Sequence, residues 1–509
     1  MTRDPRAGTA LARSTDRLAA LPPEARRTFL RRCATLVRTA GVVEVPQAPD
    51  DLRDAVLASV RDGRAETAWL ALAVLTGVLP DVATPLELAR RVQLDGPQVL
   101  LDAALARFSP DDDRPVVVAA PDEIVVDVFQ TARLPRSTGI QRVSRALARA
   151  WHARPGVRLV GWDDTQTTVV DLTEDEIRCL LTDGSAPPGP PPGFRRTVVV
   201  PYRATYVLPE LAVGPDLTPR LQALAVYSGS RTGAVGFDCV PLTAAETTRP
   251  GTPSHFAGSL SALKHVDRVA AISASAAGEY RGWRTMVGAS GLGGPDVVEV
   301  CLPMTEHRVD EDALAQARAR FLVGDLPLVA VVGTHEPRKN HDGVLHAAQL
   351  LWAQGHRFSL LFVGAVGWRS EDFLASLEQA RLQGRPVENV PSLDDELLAA
   401  VYSLARCTVF PSLNEGFGLP VAESIAAGTP VVTSAFGSMA EIAAGGGAVL
   451  VDPRDDHALA EGIRTLLVDD AEYARLRAQA LGRRRGSWQE YADAVWDALV
   501  GTASPAPAA

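Results

Sequence analysis

The sequence predicts an α/β protein: two tandem Rossmann-like, doubly wound domains facing a cleft, with an extra helical domain ahead of them. Three observations carry this. β-branched runs alternate with helical patterns twice over, from Pro115 to Cys301 and again from Leu328 to Val468. Glycine-bearing turns separate several of those runs from the helices that follow. The first hundred or so residues instead space their apolar positions by three and four, which is helical.

Length and composition narrow the class. A chain of 509 residues exceeds one ordinary core, so two or three domains are expected, and 46% hydrophobic with 22% charged residues marks a soluble globular protein. The net charge of −10, with no basic stripe among aromatics, argues against general nucleic-acid binding. The cysteines Cys33, Cys179, Cys239, Cys301 and Cys407 are far apart and show no CxxC spacing, which predicts buried free thiols and a reducing, cytoplasmic compartment. No signal-peptide core opens the chain, and the longest uncharged apolar run, Ala68 to Pro80, is too short to span a bilayer.

Residues 1–118 read as helices over Glu24 to Thr39, Asp50 to Arg61, Glu66 to Leu75 and Pro85 to Phe108, followed by a solvated acidic linker at Asp111 to Asp113. They carry no chemical constellation, so a packing or oligomerisation role is expected there. Residues 119–306 hold strands at Val116 to Ala120, at its edge, and Ile124 to Phe129. A loop, Arg136 to Ile140, then opens a helix over Gln141 to His152. Further strands are expected at Val157 to Trp162, Thr197 to Val200, Ala234 to Val240, Val269 to Ser273 and Val297 to Cys301, with the irregular run Ala186 to Gly193 among them. Residues 307–480 repeat the alternation: strands at Leu328 to Val332, Ser359 to Val363, Thr408 to Phe410, Pro430 to Thr433 and Ala448 to Val451. Residues 481–501 hold a helix, Ser487 to Leu499, whose aromatic face must pack back across the domains, and 502–509 form a disordered tail.

The loops carry the chemistry. Pro420 suits the start of a helix, so the glycine-rich loop Glu415 to Gly418 lies at a helix N-terminus, where free N–H groups favour an anion. Glu415 in the loop and Glu423 in the first helical turn bracket that place; taken singly, Glu423 could merely answer the helix dipole and the glycines merely turn the chain. The loop Gly333 to Asn340 sets Arg338 beside Lys339 near a helix start, where cations are disfavoured unless an external anion meets them. Of 51 basic residues only Lys264 and Lys339 are lysines. The acidic pairs Asp394-Asp395 and Asp455-Asp456 precede helices and read as caps, not as a metal site.

Three segments, GTHEPRKN (333–340), PSLNEGFGLPVAESIAAGTPVVTS (411–434) and VDPRDD (451–456), resemble those of the retaining glycosyltransferases of family 4, which have the GT-B fold. Glu415 and Glu423 match that family's E-x7-E motif, while TGIQRV (138–143), FDCVPL (237–242) and VDRVAAIS (266–273) match more loosely. The resemblance implies transfer of a hexosyl group from a nucleotide diphosphate sugar, with retention and with no cofactor or metal. Arg338 and Lys339 would hold the diphosphate. Glu415, with Gly416, Phe417, Gly418 and Leu419, would hold the donor sugar, and Glu423 the ribose. Gly139 and Gly333 would bring backbone close to the donor. The EPRKN form resembles mannosyltransferases of surface polysaccharides, which implies GDP-mannose as donor, a glycan or lipid-linked acceptor, and a cytoplasmic protein contacting the inner membrane face. The sequence departs at Phe237, where many relatives have His before Asp, leaving Asp238 as the acceptor-side candidate or a simple turn cap. It departs again at His335, where leucine is usual, and at Ala440, where proline is common. The alternative readings are a non-catalytic nucleotide-sugar-binding scaffold and a nucleotide-sugar epimerase.

Overall fold

A computed structural model describes residues 16–134, 138–182, 189, 194–305 and 309–501. The expected tail, most of the proline-rich run, and Arg136 and Ser137 of the first loop lie outside these residues.

Five helices come first: Pro23–Thr39, Pro49–Ser59, Ala65–Thr76, Ala83–Asp95 and Gln98–Arg107. The sequence pattern runs the last two together, but Gly96 at φ +89° and the imino acid Pro97 break them apart, because neither continues a helix. Helix Ala65–Thr76 is buried along its whole length from Ala68, which explains the uncharged run as a core helix. No helix among the described residues is long and apolar enough to cross a membrane. The acidic linker is not solvated throughout: Asp112 pairs with the buried Arg32 at 3.2 Å, and Arg32 also donates to the carbonyl of Arg114 at 3.0 Å. A guanidinium taken out of water needs such partners.

Nine strands form the first sheet: β1 Val116–Val118, β2 Ile124–Asp127, β3 Val157–Trp162, β4 Val169–Asp171, β5 Val198–Val200, β6 Thr205–Leu208, β7 Arg231–Gly236, β8 Arg268–Ala271 and β9 Asp296–Glu299. Their order is β1-β5-β4-β3-β2-β6-β7-β8-β9. All neighbours run parallel except at β4, which is antiparallel to β3 and β5. Strands β4 and β6 are not among the runs expected from the sequence. The second sheet holds β10 Leu328–Val332, β11 Ser359–Val363, β12 Val387–Val390, β13 Cys407–Phe410, β14 Val431–Ser434 and β15 Ala448–Val451, in the all-parallel order β12-β11-β10-β13-β14-β15. In such a sheet the order reverses at β10 and β13, and a crevice opens at their carboxyl ends. The Arg338 and Glu415 loops leave from those two ends.

The final helix, Trp488–Leu499, packs on the first half of the molecule. Trp151 Nε1 donates to the Ala492 carbonyl at 3.0 Å, and Arg268 to that of Ala498 at 2.8 Å. One continuous apolar cluster joins the five early helices, the first sheet, this last helix and Phe417, Val421 and Ile425 beside the glycine-rich loop.

Candidate functional site

After β10 the chain makes a short 3-10 turn, Pro337–Lys339, and Asn340, in the left-handed region at φ +55°, precedes helix His341–Ala353. That turn points both cations at the β13 loop. Lys339 Nζ lies 2.5 Å from Glu415 Oε1 and Arg338 Nη1 2.5 Å from Glu415 Oε2. Ser412 Oγ donates to Glu415 Oε1 at 2.7 Å, and Arg338 to the Asn414 carbonyl at 2.9 Å. Burial alone would raise the Glu415 carboxyl, but Lys339 and Arg338 outweigh it and hold it at about 2. Burial pulls Lys339 below its ordinary value against the pull of that carboxylate. The ammonium also sits over the Phe410 ring, 4.9 Å from its centre. Glu336 Oε2, 3.8 Å from Arg338 Nη2, adds a second carboxylate, so the two cations face two acidic groups.

Gly418, at φ +104°, admits a backbone turn that a side chain would strain, and helix Leu419–Ala426 begins directly after it with Pro420 at its second position. Glu423 is therefore the fifth residue, one past the place expected for it, and it answers partners other than its own helix dipole. Tyr402 donates its hydroxyl to Glu423 Oε2 at 3.0 Å, and Arg142, from helix Gly139–Trp151 of the first half, is ion-paired with Oε1.

The two sheets meet at their carboxyl ends. A Cβ on Gly416 would lie 2.3 Å from the Phe237 carbonyl oxygen, so only glycine fits there. Ser273 Oγ donates to the Gly416 carbonyl at 2.6 Å. Glu441 accepts from Ala274 and Ser275 N–H, both at 3.0 Å, at the start of helix Ala274–Gly288. Gly139 approaches Leu419, whose Cδ1 would be 3.5 Å from a Cβ at 139. Gly333 packs beside Lys339 and Phe410. Phe417 is buried, leaving its backbone to line the turn.

On the first-half side, Asp238 Oδ1 accepts from Val240 N–H at 3.1 Å, the turn-capping role. It also faces Arg338, and burial pushes its carboxyl up to about 6. Phe237 is part of the core, an apolar plug beside Asp238. Glu279 accepts from Cys239 N–H at 2.7 Å, and Asn414 reaches across to Thr243 Oγ1 at 2.9 Å. His335 is buried, 2.9 Å from Asn389 Oδ1, and stacks edge-on with His341 within a cluster completed by Phe362 and Phe373. Burial lowers both imidazoles, so they serve as neutral rings in this cluster. Ala440 lies within helix Gly437–Ala443.

Several functional neighbours escaped the sequence reading. Arg142, Ser412 and Asn414 lie inside the segments that carry the resemblance but have no role assigned there, while Tyr402 and Glu279 lie outside them and meet the site only through contacts 21 or more residues apart. Glu210, at the end of β6, accepts from Gln130 N–H at 2.7 Å and Thr131 N–H at 3.1 Å, anchoring the loop that leads to Gly139. Cys301 is exposed, unlike the other four thiols, because it follows the edge strand β9; its Sγ lies 3.3 Å from Glu299. Asp394 and Asp455 cap their helices as expected.

Residues 315–483 match the family model described as glycosyl transferases group 1. That span holds both loops of the second sheet and excludes Gly139 and Asp238. The chain is 27% identical over 336 residues to the serotype-specific mannosyltransferase WbdA of Escherichia coli, covering 63% of this chain and 38% of that protein. It is 37% identical over 162 residues to O-antigen chain mannosyltransferase B of Escherichia coli, covering 31% of this chain and 42% of that protein. The chain thus spans well under half the length of either relative. The N-terminal domain of Candida albicans trehalose-6-phosphate phosphatase superposes with a TM-score of 0.54 at 11% identity, covering 75% of this chain and 97% of that one. At that identity the likeness bears on the fold alone. The fold is GT-B.

Proposed function

We propose that this chain, a GT-B protein of the mannosyltransferase-like type whose residues 315–483 form a group 1 glycosyltransferase domain, is a retaining hexosyltransferase using a nucleotide diphosphate sugar. One observation carries the reading: Arg338 and Lys339 converge on Glu415 at the mouth of a parallel-sheet crevice, beside the turn that opens helix Leu419–Ala426. A diphosphate entering there meets preformed positive charge. As the bond from the anomeric carbon to the diphosphate oxygen breaks, the electron pair leaves with the diphosphate, and the two cations stabilise it. Retention requires the acceptor hydroxyl to arrive on the face the diphosphate departs from, its proton passing to the leaving oxygen. Glu415 and the backbone of Gly416, Phe417 and Gly418, with Leu419 alongside, hold the sugar; Glu423 accepts from the ribose hydroxyls; Gly139 and Gly333 let backbone approach the donor. Asp238 faces the acceptor. No protein nucleophile and no metal enters the scheme.

GDP-mannose is the donor we assign, on the EPRKN segment and on the relatives named as mannosyltransferases, with a glycan or lipid-linked acceptor presented at a membrane surface. Release of nucleoside diphosphate from GDP-, UDP- and dTDP-sugars in the presence of mannose-bearing glycans tests this. Turnover of GDP-mannose with transfer to the glycan is the expected result. Tight binding of one donor without turnover would favour a scaffold, and sugar interconversion without acceptor an epimerase. Gly416→Ala, which forces the Phe237 and Gly416 backbones apart, is expected to lower transfer about tenfold and to lower the unfolding temperature as well.

A further inference from the structure

Every charged group assigned to the donor is already engaged by protein. Glu415 takes back one of the two positive charges of Arg338 and Lys339. Glu336, 3.8 Å from Arg338, sets off the other, so the roughly two negative charges of a diphosphate diester call for a further cation. Arg142 is placed to supply it. It lies three residues after Gly139, hence on the same face of a helix whose first turn is locked by a Thr138–Gln141 capping box. That first turn lies against Leu419 at the edge of the glycine-rich turn. In this structure Arg142 is spent on Glu423, the carboxylate assigned to the ribose, with Tyr402 on the other oxygen.

We propose that Arg142 is a donor-exchanged cation: it occupies Glu423 until the donor's ribose displaces it, and the released guanidinium then binds the donor diphosphate. The inference rests on the donor reading above and adds a residue from the opposite half of the molecule. The ribose and Arg142 compete for one carboxylate, while the diphosphate gains a planar, two-pronged donor. Removing Arg142 must therefore act in opposite directions on the two parts of a nucleotide.

The test is equilibrium titration of the full chain with GDP, UDP and dTDP, each beside its free nucleoside, in wild type, Arg142→Gln, Arg142→Lys and Glu423→Gln. For the base that binds, Arg142→Gln is expected to weaken the diphosphate about tenfold and to tighten the nucleoside about threefold. Arg142→Lys, which keeps the charge without the fork, recovers part of the diphosphate affinity. Parallel shifts of nucleoside and diphosphate, or no shift of either, overturn the exchange. Glu423→Gln separates the two readings. If it leaves nucleoside affinity unchanged, the ribose assignment fails and the exchange with it. If it weakens the nucleoside while Arg142→Gln changes neither ligand, the exchange alone fails. Absence of binding by all three diphosphates to wild type refutes both.

Discussion

Lys339→Ala is expected to lower sugar transfer by roughly 10²- to 10³-fold, the usual cost of deleting one preorganised group that stabilises developing charge. The ammonium is enclosed, lies against the Phe410 ring and is held to Glu415, so it is aimed before the donor arrives and has nowhere else to go. Lys339→Met keeps the aliphatic stem over Phe410 and removes only the charge; its loss should equal that of alanine. Stability should fall by only about 1–2 kcal/mol, because Arg338 and Ser412 remain on Glu415 and no buried charge is left alone. Initial rates of nucleoside diphosphate release at saturating donor, with urea unfolding as the companion measurement, check both halves. Full activity in either variant would sink the assignment of Lys339 to the diphosphate.

Glu415→Gln has an effect of comparable size on transfer and a larger one on the protein itself. It strands two enclosed cations, and breaking a buried pair from one side costs about 3 kcal/mol or more. Lys339, already lowered by burial, then gives up its proton closer to neutral pH. A nucleoside diphosphate should recover much of the lost stability in the variant by replacing the missing negative charge. The pH dependence has a definite sign. The Glu415 carboxyl is held at about 2 against an ordinary 4.5, so its stabilisation is complete above pH 4.5 and disappears as pH falls toward 2. A shift of that size corresponds to about 3 kcal/mol. Wild type should therefore lose stability relative to Glu415→Gln across that window, and curves that stay parallel from pH 5 to pH 3 would contradict the buried ion triad.

Much of the site was legible because it is written locally. Pro420, the glycines around Phe417 and the adjacent Arg338 and Lys339 are statements about backbone geometry within a few residues, and the loops formed where that chemistry required. Other parts were misplaced by small local effects. Glu423 falls one residue later because the helix opens at Leu419, and Asp112 is desolvated because Arg32 packs onto it. Neither follows from apolar spacing, which reports faces and not caps or long-range partners.

By itself the sequence determined two alternations of strand and helix, the glycine turns at their carboxyl ends, and the charged residues those turns carry. Only the tertiary structure decided which charges meet. Arg142 finds Glu423 across 281 residues, Asn414 finds Thr243 across 171, and Phe237 presses on Gly416 from the other sheet. Local conformation follows from neighbours along the chain, but hydrogen bonds and close ion pairs form only between groups a few ångströms apart in space. Distances between residues so far apart are set only when both sheets have folded and closed on each other.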